Sequence, residues 1–242
     1  FRRVLFRSLH AFQALGCRID RVAPDEVVME GRNGQLLAPA EPIDCGNSGT
    51  TMRLLAGIVA GQPFTTRLFG DASLSRRPMG RIAEPLRQFG AEILCEGTGD
   101  RPPLTIRGSQ LKAATFKSKV ASAQVKSCVL LAALQAQGKT DFSEPSLSRD
   151  HTERLLPTFG ATFRREKNHL ILHGPQRLEG TDLEVPGDFS LWRQHRPLGD
   201  LVAAGAGRPC RRTPPGARTK RASCSWRRNR VRPWLEIGRA HV

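Results

Sequence analysis

Three segments of this chain are written to one plan, and that repeat restricts the fold more than anything else in the sequence. Leu9-His-Ala-Phe-Gln-Ala-Leu-Gly-Cys-Arg-Ile19, Ile82-Ala-Glu-Pro-Leu-Arg-Gln-Phe-Gly-Ala-Glu-Ile93 and Thr152-Glu-Arg-Leu-Leu-Pro-Thr-Phe-Gly-Ala-Thr-Phe163 each read as a helix, a glycine, a small residue and a strand. The glycines, Gly16, Gly90 and Gly160, are 74 and 70 residues apart, and each suits a left-handed helix C-cap. Short alternating runs such as Asn168-His-Leu-Ile-Leu-His173 follow as strands. A second helix recurs in phase, after Asn47-Ser-Gly-Thr50 and after Ser122-Ala-Gln124, and a third copy is expected after Gly187-Asp188. Val125 to Leu134 is apolar nearly all round, so these second helices are buried. The expected fold class is therefore α/β: repeated helix-strand units in three-fold pseudo-symmetry, with buried helices, outer sheets and a broken last unit.

The repeat also repeats a helix N-terminus. Asp44-Cys-Gly-Asn-Ser-Gly-Thr-Thr-Met-Arg53 is a Gly/Ser/Thr turn opening straight into an apolar helix, and Gly70-Asp-Ala-Ser-Leu-Ser-Arg-Arg-Pro-Met79 adds a loop with two arginines. Backbone N–H groups at such a turn, together with the helix dipole, favour an anion. If three-fold packing points the second helices the same way, Asn47–Thr50 and Ser122–Gln124 converge. Ordinary N-capping by Asn and Ser is the competing reading.

These two motifs, with Ala121-Ser-Ala-Gln-Val-Lys-Ser127, Glu144-Pro-Ser-Leu-Ser-Arg-Asp-His-Thr-Glu-Arg154 and Val185-Pro-Gly-Asp188, resemble the 5-enolpyruvylshikimate-3-phosphate synthase family in order and spacing. The likeness runs from Leu9 to Ser190, 182 of 242 residues. It implies transfer of the enolpyruvyl group of phosphoenolpyruvate to shikimate 3-phosphate, on the route to chorismate and the aromatic amino acids. It implies no metal or organic cofactor, small anionic substrates as the partners, and a monomer in the complete enzyme. By the same likeness Asn47, Gly49, Arg77 and Gln124 bind phosphoenolpyruvate, and Ser122, Ala123, Gln124 and Arg149 bind shikimate 3-phosphate. The acid and base are expected in a partner domain, so this chain reads as an incomplete, inactive piece. Arg53, Arg76 and Arg81 are assigned to the surface or to structure. His151, between Asp150 and Glu153, reads as part of a helix-start cap, and no third ligand accompanies His169 and His173.

Charge locates the ends of the domain. The formal net charge is +16, which alone suggests a nucleic-acid binder. Yet residues 1–8 contribute +3 and residues 191–242 contribute +11, leaving +2 for 9–190. Phe1 to Ser8 can be encoded by TTC AGA CGT GTG CTC TTC CGA TCT, whose reverse complement encodes Ile237-Gly-Arg-Ala-His-Val242. Residues 1–8 and 236–242 are accordingly read as adapter-derived, 9–190 as the enolpyruvyl transferase-like domain, and 191–235 as a frameshifted tail. No apolar run reaches a membrane span, and six dispersed cysteines without metal spacing point to a reducing cytoplasm.

Two other functions compete. The sister family acting on UDP-N-acetylglucosamine would carry a loop cysteine, but none lies between Cys45 and Cys95. A nucleic-acid-binding role rests on 191–242 alone, without aromatic interleaving.

Overall fold

The computed structural model describes residues 2–23, 26–32, 34–180, 224–225 and 239–241. In chain order the first unit is helix α1 (Arg2–Ala14) and hairpin strands β1 (Arg18–Ala23) and β2 (Glu26–Glu30). The second is β3 (Ile43–Asp44), α2 (Gly49–Val59), β4 (Thr65–Phe69), α3 (Gly80–Gln88), β5 (Glu92–Gly97) and β6 (Arg101–Arg107). The third is β7 (Thr115–Lys117), α4 (Ala123–Ala133), β8 (Gly138–Ser143), α5 (His151–Leu155), β9 (Phe163–Glu166) and β10 (His169–Gly174). Two short strands follow, β11 (Cys224–Ser225) and β12 (Arg239–His241).

The second and third units have one topology. Their sheets run β3-β4-β6-β5 and β7-β8-β10-β9, each with a parallel first pair and antiparallel remaining pairs. The parallel strand ahead of each buried helix is an addition to the sequence reading. At two and three residues, β3 and β7 are too short to show a period.

All three repeat glycines lie in the left-handed region, at φ of 84° for Gly16, 97° for Gly90 and 82° for Gly160. The same pair of bonds closes each helix. Each glycine N–H donates to the carbonyl three residues back, at 2.9, 2.9 and 3.0 Å. The N–H after it donates five residues back: Cys17 to Phe12, Ala91 to Leu86 and Ala161 to Leu156. This double closure ends the helix and turns the chain into its strand. A side chain at any of the three would be strained.

Helices α2 and α4 form the centre. Met52, Leu55, Ala56 and Val59 of α2, and Val125, Cys128, Val129 and Leu130 of α4, are buried together with Leu86, Leu104, Phe142 and Leu172. The two helices run side by side in one direction. Thr50 meets Gln124 at their starts, and Gln62 meets Gln135 just past their ends. They come close together at Gly57, where a Cβ would stand 2.4 Å from the Cys128 carbonyl oxygen.

The flanks meet this framework in two places. α1 begins at Arg2, so the boundary expected at Leu9 falls within a helix, and Arg7 donates to Asp44 at 2.6 Å. β12 pairs antiparallel with the free edge of β2, Arg239 opposite Val28. The Val185-Pro-Gly-Asp188 motif, the third second-helix and the expected frame change at Ser190 lie outside the described residues.

Candidate functional site

The starts of α2 and α4 are built differently. At α2, Ser48 has an extended backbone (φ −90°, ψ 92°), and its hydroxyl accepts from the Thr51 N–H at 3.1 Å. That is ordinary capping. At α4, the equivalent Ser122 is also extended (φ −147°, ψ 112°), but its side chain makes no cap bond. The first amides of both helices have no intrahelical acceptor by geometry. Among the described residues Ser122 therefore presents a half-buried hydroxyl without a partner, beside helix-start amides that lack an intrahelical acceptor. The competing N-cap reading holds for Ser48 and fails for Ser122.

Thr50 and Gln124 are equivalent positions, 74 residues apart, and they touch: Gln124 Nε2 donates to Thr50 Oγ1 at 2.7 Å. Residues related by pseudo-symmetry can meet only near the axis that relates them. The convergence expected of the helix starts is therefore observed.

Two guanidinium groups flank this place. Arg77 Nη2 donates to Asn47 Oδ1 at 2.7 Å, so the arginine loop is tied to the α2 turn. Arg53 Nη1 donates to Gln124 Oε1 at 2.5 Å and Nη2 to the Pro78 carbonyl at 3.3 Å. A Cβ on Gly49 would stand 3.0 Å from Arg53 Nη1 and 3.1 Å from Arg77 Nη1. Only a glycine leaves the backbone bare between the two cations at this spacing. Burial lowers the Arg53 pKa, and the neighbouring charges of Arg77 and Arg81 lower it further. A guanidinium held among other cations in this way gains from an anion placed beside it.

Of the residues expected in the site, Asn47, Gly49, Arg77, Gln124, Ser122 and Ala123 come together around the two helix starts. Arg149 does not join them directly. It is exposed, and among the described residues its side chain makes no hydrogen bond or ion pair. Arg53, which the sequence reading gave to the surface or to structure, ties Gln124 of α4 to the Pro78 carbonyl, a structural role that also sets it beside Gly49. Its spacing alone could have placed it, one turn beyond Gly49 on the same helix. The cap expected around Asp150 and His151 is corrected: Asp150 makes no side-chain cap bond. Its carboxylate accepts instead from Arg154 Nε at 3.1 Å and Arg165 Nη1 at 3.3 Å. Two arginines outcompete backbone amides for one carboxylate.

Beneath Arg149 lies a buried ion cluster that the sequence did not reveal. Lys126 Nζ stands 2.9 Å from Glu144 Oε1 and 3.0 Å from Glu153 Oε1, with side chains 1%, 2% and 4% exposed. Glu144 also accepts from the Ser148 N–H at 3.0 Å and the Ser148 hydroxyl at 2.8 Å. Burial pushes the Glu144 carboxyl up, but the Ser148 donors and Lys126 outweigh it and hold the group below its ordinary value. Glu153 Oε2 is buried without a partner among the described residues.

The surface around the two helix starts is open: Asn47 and Thr50 are exposed, as is Arg149. A cavity of about 420 Å³ lies at the opposite ends of α2 and α4, between Phe12, Ile58, Leu131 and Leu178, away from these cations. Among the described residues no helix is long and apolar enough to cross a membrane.

Comparison with known proteins bears on this geometry. The family model for EPSP synthase (3-phosphoshikimate 1-carboxyvinyltransferase) matches residues 6–191. A 3-phosphoshikimate 1-carboxyvinyltransferase of Bacillus licheniformis is 47% identical over 183 residues, covering 76% of this chain and 43% of that protein. One from Streptococcus equi subsp. zooepidemicus is 49% identical over 185 residues, covering 76% and 43%. The solved EPSP synthase of Acinetobacter baumannii superposes with a TM-score of 0.73 at 46% identity, covering 76% of this chain and 42% of that one. The chain thus spans about two-fifths of the length of the relatives it matches.

Proposed function

Because the chain belongs to the EPSP synthase family, we propose that its parent protein transfers the enolpyruvyl group of phosphoenolpyruvate to shikimate 3-phosphate, and that the face described above is the anion-holding half of that site. The observation that carries this reading is the bare backbone of Gly49 set between Arg53 and Arg77 at the start of α2. Phosphoenolpyruvate carries a carboxylate and a phosphate, and planar guanidinium forks suit both. Asn47 holds Arg77 in place, and Gln124 bridges the two helix starts. Ser122 and Ala123, with Gln124, would receive shikimate 3-phosphate through the uncapped start of α4, and Arg149 would add a cation to that substrate.

Addition of the shikimate hydroxyl and loss of phosphate need a base for the hydroxyl and an acid for the methylene carbon. Those groups belong, on this reading, to the part of the relatives that the chain does not span, so the polypeptide binds without turning over. Residues 9–190 are the enzyme-derived domain, the complete enzyme acts as a monomer, and its compartment is the reducing cytoplasm. Four unpaired cysteines among the described residues support the last point.

The test is a chemical-shift titration of the whole chain with shikimate 3-phosphate. Shifts at the Ser122, Gln124 and Arg149 amides are expected, with a dissociation constant of millimolar order or weaker, roughly −4 kcal/mol, because an open face leaves each charged contact screened. Shifts confined to 191–242, or salt-dependent DNA binding abolished by deleting those residues, would favour the nucleic-acid reading. Preferential binding of UDP-N-acetylglucosamine would favour the sister family.

A further inference from the structure

Among the described residues Arg149 is an exposed cation without a partner, and its two neighbours are both fastened. Every polar group of Ser148 is engaged. Its N–H and hydroxyl donate to the Glu144 carboxylate, and its carbonyl lies 3.5 Å from Lys126 Nζ. On the other side, the Asp150 carboxylate is held by Arg154 and Arg165, and its carbonyl accepts from the Arg154 N–H. The Glu144 backbone is itself pinned at the end of β8. Its N–H donates to the Asn168 carbonyl at 3.1 Å, and its carbonyl accepts from Asn168 Nδ2.

The central post of this arrangement, Lys126, sits on α4 one turn after Ser122, whose carbonyl accepts the Lys126 N–H at 3.0 Å. The helix that presents the uncapped serine thus also carries the ammonium to which the Arg149 segment is tied. A lysine buried to 1% exposure between two carboxylates is an expensive way to join two elements. An apolar contact would join them at lower cost but would not fix the direction of Ser148.

We propose that Lys126 and Glu144 are positioning residues: they lock the Ser148–Asp150 segment to α4, so that Arg149 and Ser122 are held in register for one phosphorylated ligand. The locking follows from the contacts. The ligand role rests on the proposed function above, and the experiment separates the two.

The whole chain is compared with Glu144→Gln, with Ser148→Ala as a milder variant that leaves the buried charges intact, and with each of these combined with Arg149→Ala. Three quantities are read: hydrogen exchange at the Ser148 amide, shikimate 3-phosphate affinity, and the urea midpoint. Exchange at Ser148 should rise by ~10-fold or more in Glu144→Gln, while the Leu172 amide in β10 keeps its protection. Affinity should fall by about 3–10-fold where Arg149 is present and by less than about 1.5-fold where it is alanine, the signature of two residues acting through one another. The urea midpoint should move equally in both backgrounds. Equal loss of affinity with and without Arg149, or unchanged exchange at Ser148, would overturn the proposal while leaving the substrate reading intact. If the parent chain does not bind shikimate 3-phosphate at all, yet Glu144→Gln frees Ser148, the ligand role falls and the mechanical fastening alone survives. If Glu144→Gln fails to fold, the same comparisons are decided by Ser148→Ala.

Discussion

Replacing Gly57 by alanine tests the helix pairing on which the whole site depends. Helix propensity alone predicts that alanine stabilises α2 by about 1 kcal/mol. The tertiary contact predicts the reverse. A Cβ at this position would lie 2.4 Å from the Cys128 carbonyl oxygen, 3.1 Å from its carbon and 3.2 Å from its Cα, all backbone atoms of α4. A Cβ carbon settles against a carbonyl oxygen at about 3.3 Å, so the helices must part by roughly 0.9 Å to relax the contact. No flexible side chain can absorb that shift. Overpacking of this kind costs about 1–3 kcal/mol, and rigid backbone on both sides places it at the upper end. Set against the propensity gain, a net loss of about 1–2 kcal/mol is expected. With a urea slope of about 2 kcal/mol/M, the midpoint should fall by ~0.5–1 M. Gly61→Ala is the comparison: its Cβ would meet the Gln135 side chain, Oε1 at 2.6 Å and Cβ at 3.1 Å, so relief means turning that amide away from its hydrogen bonds and not parting two backbones. It should cost less. A Gly57→Ala protein as stable as the parent would mean that α2 and α4 do not make this contact, and the convergence of their starts would lose its support.

Four further outcomes follow from the site. Lys126→Met should destabilise the fold by about 3–5 kcal/mol in urea unfolding, because it leaves Glu144 and Glu153 facing each other without a cation; an unchanged midpoint would refute the buried cluster. The Glu144 carboxyl is held below its ordinary value of 4.5 in the fold, so its contribution is present above the unfolded-state pKa and is lost as pH falls through the folded one. The acid-side drop in urea midpoint below pH 4.5 should accordingly shrink in Glu144→Gln. Ser122→Ala and Arg149→Ala should each weaken shikimate 3-phosphate binding in a shift titration, while Arg228→Ala should not; equal loss from Arg228→Ala would point to a non-specific charge effect. Burial pushes the Cys45 and Cys128 thiols up to about 12, so site-resolved alkylation at pH 8 should label the half-exposed Cys95 well before either of them.

Much of the architecture was legible because it rests on local rules that repeat. A glycine after each outer helix marks the same left-handed closure at Gly16, Gly90 and Gly160. Apolarity nearly all round in 125–134, Lys126 and Ser127 apart, announces a buried helix, since no other location hides every face. The two-residue strand β3 and the three-residue β7 were not legible, because pairing with β4 and β8 defines them rather than any pattern of their own. The Gly/Ser/Thr turns and the arginine loop likewise stood out, since residue type and helix polarity are read directly along the chain.

What the sequence by itself determined is therefore the periodic plan, the buried helices and the residue types gathered at their starts. Only the tertiary structure decided which donors are free and which are spent. Ser48 and Ser122 occupy equivalent positions with the same side chain, yet one caps its helix and the other does not. Arg53 and Arg76 are both arginines near the motif, yet only Arg53 reaches Gln124 across the helix pair. Lys126, Glu144 and Glu153 are unremarkable charges along the chain and become a buried cluster only when α4, the end of β8 and α5 close over them. The physical reason is common to the last two. Periodicity and helix-ending turns depend on neighbours within a few residues. The partner of a polar group is chosen by groups tens of residues away, brought within 3 Å by packing whose own specificity is spread over the whole core.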